Sequence, residues 1–519
     1  MVEARALAFT AYIGSIAALL LLPALIPTDG ALQGLASVRN WQLLATAVFA
    51  GHLIARRRDL SRATADWRAP RWLRPLLYAA GLFSLLACCV LHFKAFRING
   101  IDFSTFDHML WSTRHGRFMH SPILGGNHFG VHPSWIMLPL VPLQAVFESP
   151  LLLVTLHAVA TWLALFPLER LARRFLRADA LVLLSLVAYL THARTGSIVN
   201  HGFHFEVFYL PIGLWMLDAW TGRSYRAFVV WLVLFLSVKE DAGLYAAGLG
   251  AGAVCFERDR RGVGACLVAL GLAIFVGSVA LVQPLFREAG QGTPQYVTFW
   301  GKYGGTVPAI VAGMLARPHV VLLDVLESGW LELWGSFLFL PLLGRQGLVA
   351  CLPVVLLLGT SASPQMHAYN GYYAAALLPF FLLAFFEGAA RLGGAPRLVL
   401  AALLVAPLIG GDYMKFPSPR PQYADALSAA VVEVRRVGAP VCVQTILFPH
   451  LPYDLPAHPF TPECQAMRQA SALLVPELDT FPYTPVELGV YLAAASSRQD
   501  FGAGLTFVAP ASGLRRMKE

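Results

Sequence analysis

Charged side chains are scarce: only 13% of the 519 residues are Asp, Glu, Lys or Arg, against 57% that are hydrophobic. A chain of one or two water-soluble domains would carry about twice that charged fraction, so this class is excluded. Acidic residues are the scarcer sign, leaving a formal net charge of +9. The surplus does not point to nucleic acid, because the arginines sit in short loops between apolar runs and form no continuous basic face. Cysteine is thin as well. Seven occur and no two are spaced CxxC, which removes a zinc ribbon or a thioredoxin-like redox site. Cys88, Cys89, Cys255, Cys266 and Cys351 lie in apolar segments, where a thiol acts as a small hydrophobe. Only Cys442 and Cys464 are placed to meet an oxidising compartment, and a disulfide between them is open if their segment folds outside. The sequence shows no internal repeat and no low-complexity tract.

Apolar length is what the chain has. Runs bounded by Arg, Pro or Gly cover Ala6–Ile26, Trp41–Ala55, Pro75–Phe93, Leu151–Leu168, Ala180–Leu190, Phe208–Trp220 and Ala227–Val238. Six more cover Gly243–Phe256, Gly262–Gln283, Trp330–Leu343, Leu348–Thr360, Ala374–Phe386 and Leu398–Ile409. Several are shorter than the roughly 20 residues of a straight span, so their boundaries extend into the loops. The expected fold is an all-α polytopic membrane protein of about thirteen transmembrane helices. The first run is longer than a signal-peptide core and has no clear small-residue cleavage site, so it reads as a retained span.

Arginine sets the orientation. Arg56, Arg57, Arg58, Arg62, Arg68, Arg71 and Arg74 fill one loop; Arg170, Arg173, Arg174 and Arg177 fill another. Such loops are cytoplasmic, and Arg223, Arg226, Arg258, Arg260, Arg261, Arg345, Arg391 and Arg397 fall on the same side when the spans are counted off. The N-terminus is then inside. Segments 94–150, 191–207, 239–242, 284–329 and 361–373 face the exterior, and the polar residues gather there. The division falls at a membrane domain over 1–411 and an extracytoplasmic domain over 412–519. In the latter, strand-like runs at Ala439–Thr445, Ala472–Val475 and Leu505–Val508 suggest a small α/β unit of about 105 residues.

The first external segment offers two carboxylates, Asp102 and Asp107, directly after a span. Five residues apart, they diverge by about 140° on a continuous helix, whereas a turn at Asn99-Gly100 would bring both to one cleft. A carboxylate at the lipid–water boundary suits a general base, since partial desolvation raises its proton affinity; the alternative is a helix cap. His128 and His132 follow as H-x3-H, and His201 and His204 as H-x2-H beside Glu206. These spacings are compatible with a divalent metal, with contact to a phosphate or another substrate group, and with structural histidines. Lys239-Glu240-Asp241 sits between two apolar runs, where adjacent ionisable groups line a wet site or form a solvated turn. His367 and Tyr369 join them as weaker substrate contacts, because aromatic residues favour the membrane interface anyway. Gln291–Gly305 reads as a flap over substrate or as an interfacial helix.

The order of these clusters resembles the uncharacterised membrane family called domain of unknown function 2079, which is grouped with the GT-C membrane glycosyltransferases. The matching pieces are Asp102-Phe103-Ser104-Thr105-Phe106-Asp107-His108 with Leu110-Trp111 and Gly116, then His132-Pro133, Phe203-His204, Lys239-Glu240-Asp241 and Phe448-Pro449-His450-Leu451. Ser104-Thr105 and His108 depart from the family's usual residues without removing a carboxylate. The resemblance implies a GT-C-like enzyme of the bacterial inner membrane that moves a sugar from a polyprenyl-phosphate donor to a glycan, lipid or protein acceptor on the external face. It also implies single displacement with inversion, a carboxylate base in the 94–150 loop that Asp102 fits best, and Lys239 with His204 at the lipid phosphate. Two rivals stand beside it: a polytopic transporter, and a non-catalytic scaffold of envelope polysaccharide assembly.

Overall fold

The computed structural model describes residues 2–21, 38–55, 64–291, 294–393, 396–411, 413–438, 440–461, 464, 471–479, 483–495 and 498–508. Arg56, Arg57, Arg58, Arg62, Ala439 and the part of the first apolar run beyond Leu21 lie outside the described residues. The chain is mostly helical, and each of the thirteen apolar runs falls wholly or partly on helix. In chain order the helices used below are α1 (Val2–Leu21), α2 (Val38–Ala55), α3 (Leu73–Lys94), α4 (Gly100–Arg114), α5 (Leu151–Leu176), α6 (Asp179–Thr191), α7 (Ala193–His201) and α8 (Tyr209–Thr221). They continue as α9 (Tyr225–Leu236), α10 (Ala242–Phe256), α11 (Arg258–Phe286), α12 (Val307–Ala316), α13 (Pro318–Glu327), α14 (Gln346–Gly359), α15 (Pro364–Arg391) and α16 (Pro396–Leu408).

Among the described residues four helices, α3, α5, α11 and α15, are long and apolar enough to cross a bilayer. Six crossings result if each bent pair counts as one: α6 with α7, bent by 42°, and α12 with α13, bent by 93°. This is fewer than the thirteen runs suggest, for two reasons. A helix such as α10, with 15 residues, reaches only about 22 Å of a hydrocarbon core near 30 Å. Apolar character also comes from burial in protein as much as from lipid contact: the apolar window of α15 is 83% buried, that of α11 only 11%.

Glycines explain how α10 sits between two neighbours. A Cβ on Gly271 of α11 would lie 2.3 Å from the Gly243 carbonyl oxygen, and one on Gly264 would lie 2.7 Å from that of Gly250. On the opposite side Gly248 accepts the Pro353 ring and Gly252 the Gln346 backbone of α14. Small residues let backbones approach closely where lipid offers no hydrophobic drive. Gly271→Val is therefore expected to lower the unfolding midpoint of the detergent-solubilised chain, by overpacking worth about 1–3 kcal/mol. Gly262→Val, where nothing lies within 4 Å of the added Cβ, is the control.

The basic loops meet at one end of the bundle. Arg74 pairs with Glu169, Arg173 with Glu169 and Asp179, Arg170 and Arg174 with Asp218, and Arg223 with Asp259. Arg260 donates to the Trp220 carbonyl from beneath the ring.

Beyond residue 412, α17 (Pro421–Val437) and α18 (Pro485–Ala494) sandwich a five-stranded sheet of order β4-β3-β5-β7-β6. Its strands are β3 (Val441–Val443), β4 (Ala457–Pro459), β5 (Ser471–Leu474), β6 (Arg498–Asp500) and β7 (Thr506–Val508), β1 and β2 being the His120–Ser121 and Gly126–Asn127 hairpin. β3 runs parallel to β4 and β5, while β7 is antiparallel to β5 and β6. Side chains alternate with period two. Val441, Val443, Leu473 and Phe507 pack on α17, and Cys442, Ala472, Leu474 and Val508 face the cluster that holds Leu488 of α18. Cys442 is disulfide-bonded to Cys464. The three strand-like runs in the sequence correspond to β3, β5 and β7.

Candidate functional site

Asn99 starts α4 instead of turning it. Its Oδ1 accepts from the backbone N–H of Ile101 and Asp102, both at 3.1 Å, the usual role of Asn at a helix start. The helix then runs unbroken to Arg114, so the two aspartates diverge. Asp102 faces a cavity, with its Oδ2 3.0 Å from Asn99 Nδ2 and 3.5 Å from His201 Nε2. Asp107 turns the other way, against the C-terminal domain, where it accepts a 3.0 Å hydrogen bond from the Tyr453 hydroxyl.

That second face is a docking surface. Tyr453 stacks on Trp111 and meets His108, the His450 ring lies between Phe93 and Phe96, and a Cβ on Gly100 would lie 2.1 Å from the Thr445 carbonyl oxygen. Burial pushes the Asp107 carboxyl from 3.8 up to about 7, the Tyr453 hydrogen bond opposing. A docked state that holds its proton more tightly than the undocked one weakens as pH rises from 3.8 to about 7 and changes little above. The lost free energy amounts to a few kcal/mol at ~1.4 kcal/mol per pH unit. Limited proteolysis of the C-terminal domain is expected to accelerate between pH 5 and pH 8, and Asp107→Asn to flatten that dependence.

All five segments expected to be external contribute to one cavity of ≈ 2160 Å³. Asp102, His128, His132, His201, His204, Glu206, Lys239, Glu240 and Asp241 line it together. The C-terminal domain closes one side with Thr445, Ile446, Glu477 and Asp479, and Arg287 lies just past the end of α11. Away from these polar groups the wall becomes apolar through Leu272 and Phe275 of α11, Val311 and Leu315 of α12, and Leu352 and Leu356 of α14. Ordinary ligand pockets measure about 300–1,000 Å³, so this one has room for an amphipathic molecule.

Its polar floor is tightly wired. Gly202, at φ +92°, lets the chain leave α7 and return as a short helix at Phe205–Phe208. His204 Nδ1 accepts from the Glu206 backbone N–H, and its ring stacks on Tyr372 at 3.5 Å. Glu206 thereby reaches Lys239 Nζ at 2.5 Å, with Asp241 Oδ2 3.6 Å from the same nitrogen. Asp241 also accepts from the Tyr209 and Tyr245 hydroxyls at 2.6 and 2.8 Å. Burial alone would favour a neutral amine, but Glu206, Asp241 and Glu240 outweigh it and hold Lys239 protonated. Glu240 Oε1 lies 2.8 Å from His132 Nδ1, and His132 Nε2 lies 3.0 Å from Gln295 Oε1.

Three of the residues singled out in the sequence sit elsewhere. Besides Asp107, these are His367, whose Nδ1 meets the Gly359 carbonyl oxygen at the end of α14, and Tyr369, fully buried with its hydroxyl 2.9 Å from Ser328 Oγ. Their neighbours Tyr372 and Tyr373 line the cavity instead, hydrogen-bonded to each other. Arg287, Glu477 and Asp479 carried no sequence signal, lying in short polar stretches that match no motif. Of the segment read as a flap, Tyr296 and Trp300 line the cavity, and Gln295–Trp300 is helical. No three His, Cys, Asp or Glu side chains converge to hold a metal ion among the described residues, so the H-x3-H and H-x2-H pairs acquire no ligand set there.

These elements define a mostly helical membrane protein whose loops at one end enclose a large cavity, polar at its floor and apolar at its flank. The chain belongs to the family described as predicted membrane proteins, domain of unknown function 2079, whose profile matches residues 93–417. That range takes in α5, α11 and α15, the 94–150 segment and the Lys239 floor, and begins at the end of α3. No curated protein and no solved structure matches the chain.

Proposed function

We propose that the protein is a GT-C-like membrane glycosyltransferase, moving a sugar from a polyprenyl-phosphate donor to an external glycan, lipid or protein acceptor with inversion. One observation carries this reading: a single cavity joins a carboxylate near the start of α4 to an apolar flank built from α11, α12 and α14. Val311, Leu315, Leu272, Leu352 and Leu356 of that flank are exposed as well as cavity-lining, as a path for a prenyl chain from the bilayer requires. Asp102 is the base in this reading, because it lines the cavity while Asp107 does not. The ion pairs compensate the charge of Lys239, so its role is to order the floor, and Arg287 at the end of a lipid-facing span meets the donor phosphate.

The topology belongs to the same proposal: about thirteen membrane helices, the shorter ones as partial crossings, with the N-terminus cytoplasmic and the C-terminal domain in the periplasm. The clustered arginines at one end and the cavity loops at the other support it. Transport is the weaker reading. Two bent helix pairs exist, but at 42° and 93° they are unlike one another, whereas inverted repeats would place similar breaks in both halves. The test is release of labelled sugar from a panel of polyprenyl-phosphate sugars by the purified full-length chain, with hydrolysis as well as transfer counted. Consumption of one donor supports the reading, and no consumption or binding of any donor overturns it.

A further inference from the structure

Within the cavity wall, the buried side-chain polar atoms that lack a hydrogen-bond partner among the described residues are Nδ1 and Nε2 of His128 and Oε2 of Glu240. His128 is the one side chain in this state at two atoms among the described residues. It is 3% exposed, and its ring sits among Phe106, Phe205 and His132. Buried polar groups are nearly always satisfied, and orphans that share a cavity mark what that cavity is built to receive.

The chemistry of the orphans is selective. Glu240 Oε2 takes only a donated proton, its twin oxygen being 2.8 Å from His132 Nδ1. Burial keeps the His128 imidazole neutral, well below its ordinary range, so the ring has one N–H to give and one lone pair to fill. The phosphodiester of a polyprenyl-phosphate donor has acceptors alone: it could fill the His128 N–H but would leave Glu240 Oε2 facing another acceptor. Hydroxyl groups both donate and accept, and a ring carrying several of them satisfies both residues. We infer that His128 and Glu240 form the sugar subsite of the donor, hydrogen-bonding the hydroxyls of the transferred ring and not the lipid phosphate.

The loop is built to hold that position. Asn127 Oδ1 accepts from the Phe129 backbone N–H, Gln291 Nε2 donates to the Asn127 carbonyl, and Gln283 Nε2 donates to the Val131 carbonyl. A Cβ on Gly130 would lie 2.6 Å from Arg287 Cα, so the His128 loop rests against the end of α11 where the proposed phosphate contact lies.

The inference rests on the glycosyltransferase reading, and binding separates the two. Titrate the detergent-solubilised full chain with farnesyl phosphate and with farnesyl phosphate carrying mannose, glucose, galactose or a pentose. Compare wild type, Glu240→Gln, His128→Leu and the more conservative His128→Asn. The wild type is expected to bind one sugar-bearing lipid about tenfold or more tightly than the bare lipid. Glu240→Gln and both His128 variants should lose most of that advantage while binding bare farnesyl phosphate within about threefold of wild type. If the variants keep the sugar advantage, or lose bare-lipid binding equally, the subsite assignment falls and the glycosyltransferase reading stands. If wild type binds neither kind of lipid, both fall.

Discussion

Asp102→Asn is expected to reduce sugar transfer by roughly 10²–10⁴-fold, the range a positioned general base contributes, without loss of folded protein. The exchange keeps an oxygen that can accept from Asn99 Nδ2 and removes the negative charge together with the ability to take a proton. Donor affinity should stay within about threefold of wild type, because a group acting in the transition state is lost from kcat more than from binding. The side chain is 29% exposed, so the acceptor hydroxyl can reach it. Asp107→Asn is the internal comparison: it lies on the same helix, turned toward Tyr453, and should retain more than about half of the wild-type rate at pH 8. The measurement is initial rate and donor Kd for both variants, with unfolding midpoints to verify integrity. Loss of transfer in Asp107→Asn with Asp102→Asn near wild type would move the base to the docking face and overturn the assignment.

The contrast between these aspartates bears on what the sequence could reveal. Helix periodicity places residues five apart about 140° from one another, and that arithmetic holds once Asn99 is known to start α4. The sequence alone left a turn at Asn99-Gly100 equally open, since Asn-Gly serves both purposes. Lys239, Glu206, His128, His132, His201 and His204 were legible because charged and imidazole groups beside apolar runs are costly without a purpose. The apolar runs were legible as helices but not as crossings, because a run too short to span, such as the 15-residue α10, is as apolar as one that spans. Arg287, Tyr372, Glu477 and Asp479 were hidden for a different reason. They reach the cavity through tertiary packing that no local pattern records: Arg287 against the 127–131 loop, Tyr372 against His201 and His204, and Glu477 and Asp479 through the docking of the C-terminal domain. Tyr369 and Tyr372 look alike in the sequence, and only the backbone conformation separates them. At φ +52° Tyr369 turns into the core, and its neighbours continue to the cavity.

Lys239→Met is the second large effect, and it falls on stability. Lys239 stands between Glu206 at 2.5 Å and Asp241 at 3.6 Å, nearly out of contact with solvent. Removing the cation strands buried carboxylates, a change that typically costs about 3–5 kcal/mol, whereas replacing a whole buried pair by apolar groups is often close to neutral. The single variants Lys239→Met and Glu206→Leu are therefore each expected to lower the unfolding midpoint strongly, and the double variant to recover much of the loss. A double-mutant cycle on the unfolding of the detergent-solubilised chain measures the coupling. A binding role predicts the reverse pattern. If Lys239 held the donor phosphate, Lys239→Met would leave the midpoint near wild type and weaken farnesyl phosphate binding by tenfold or more at ~1.4 kcal/mol per decade. The two outcomes decide whether the cation of the Lys239-Glu240-Asp241 segment is the ligand contact or the support on which Glu240 and the His132 ring are held.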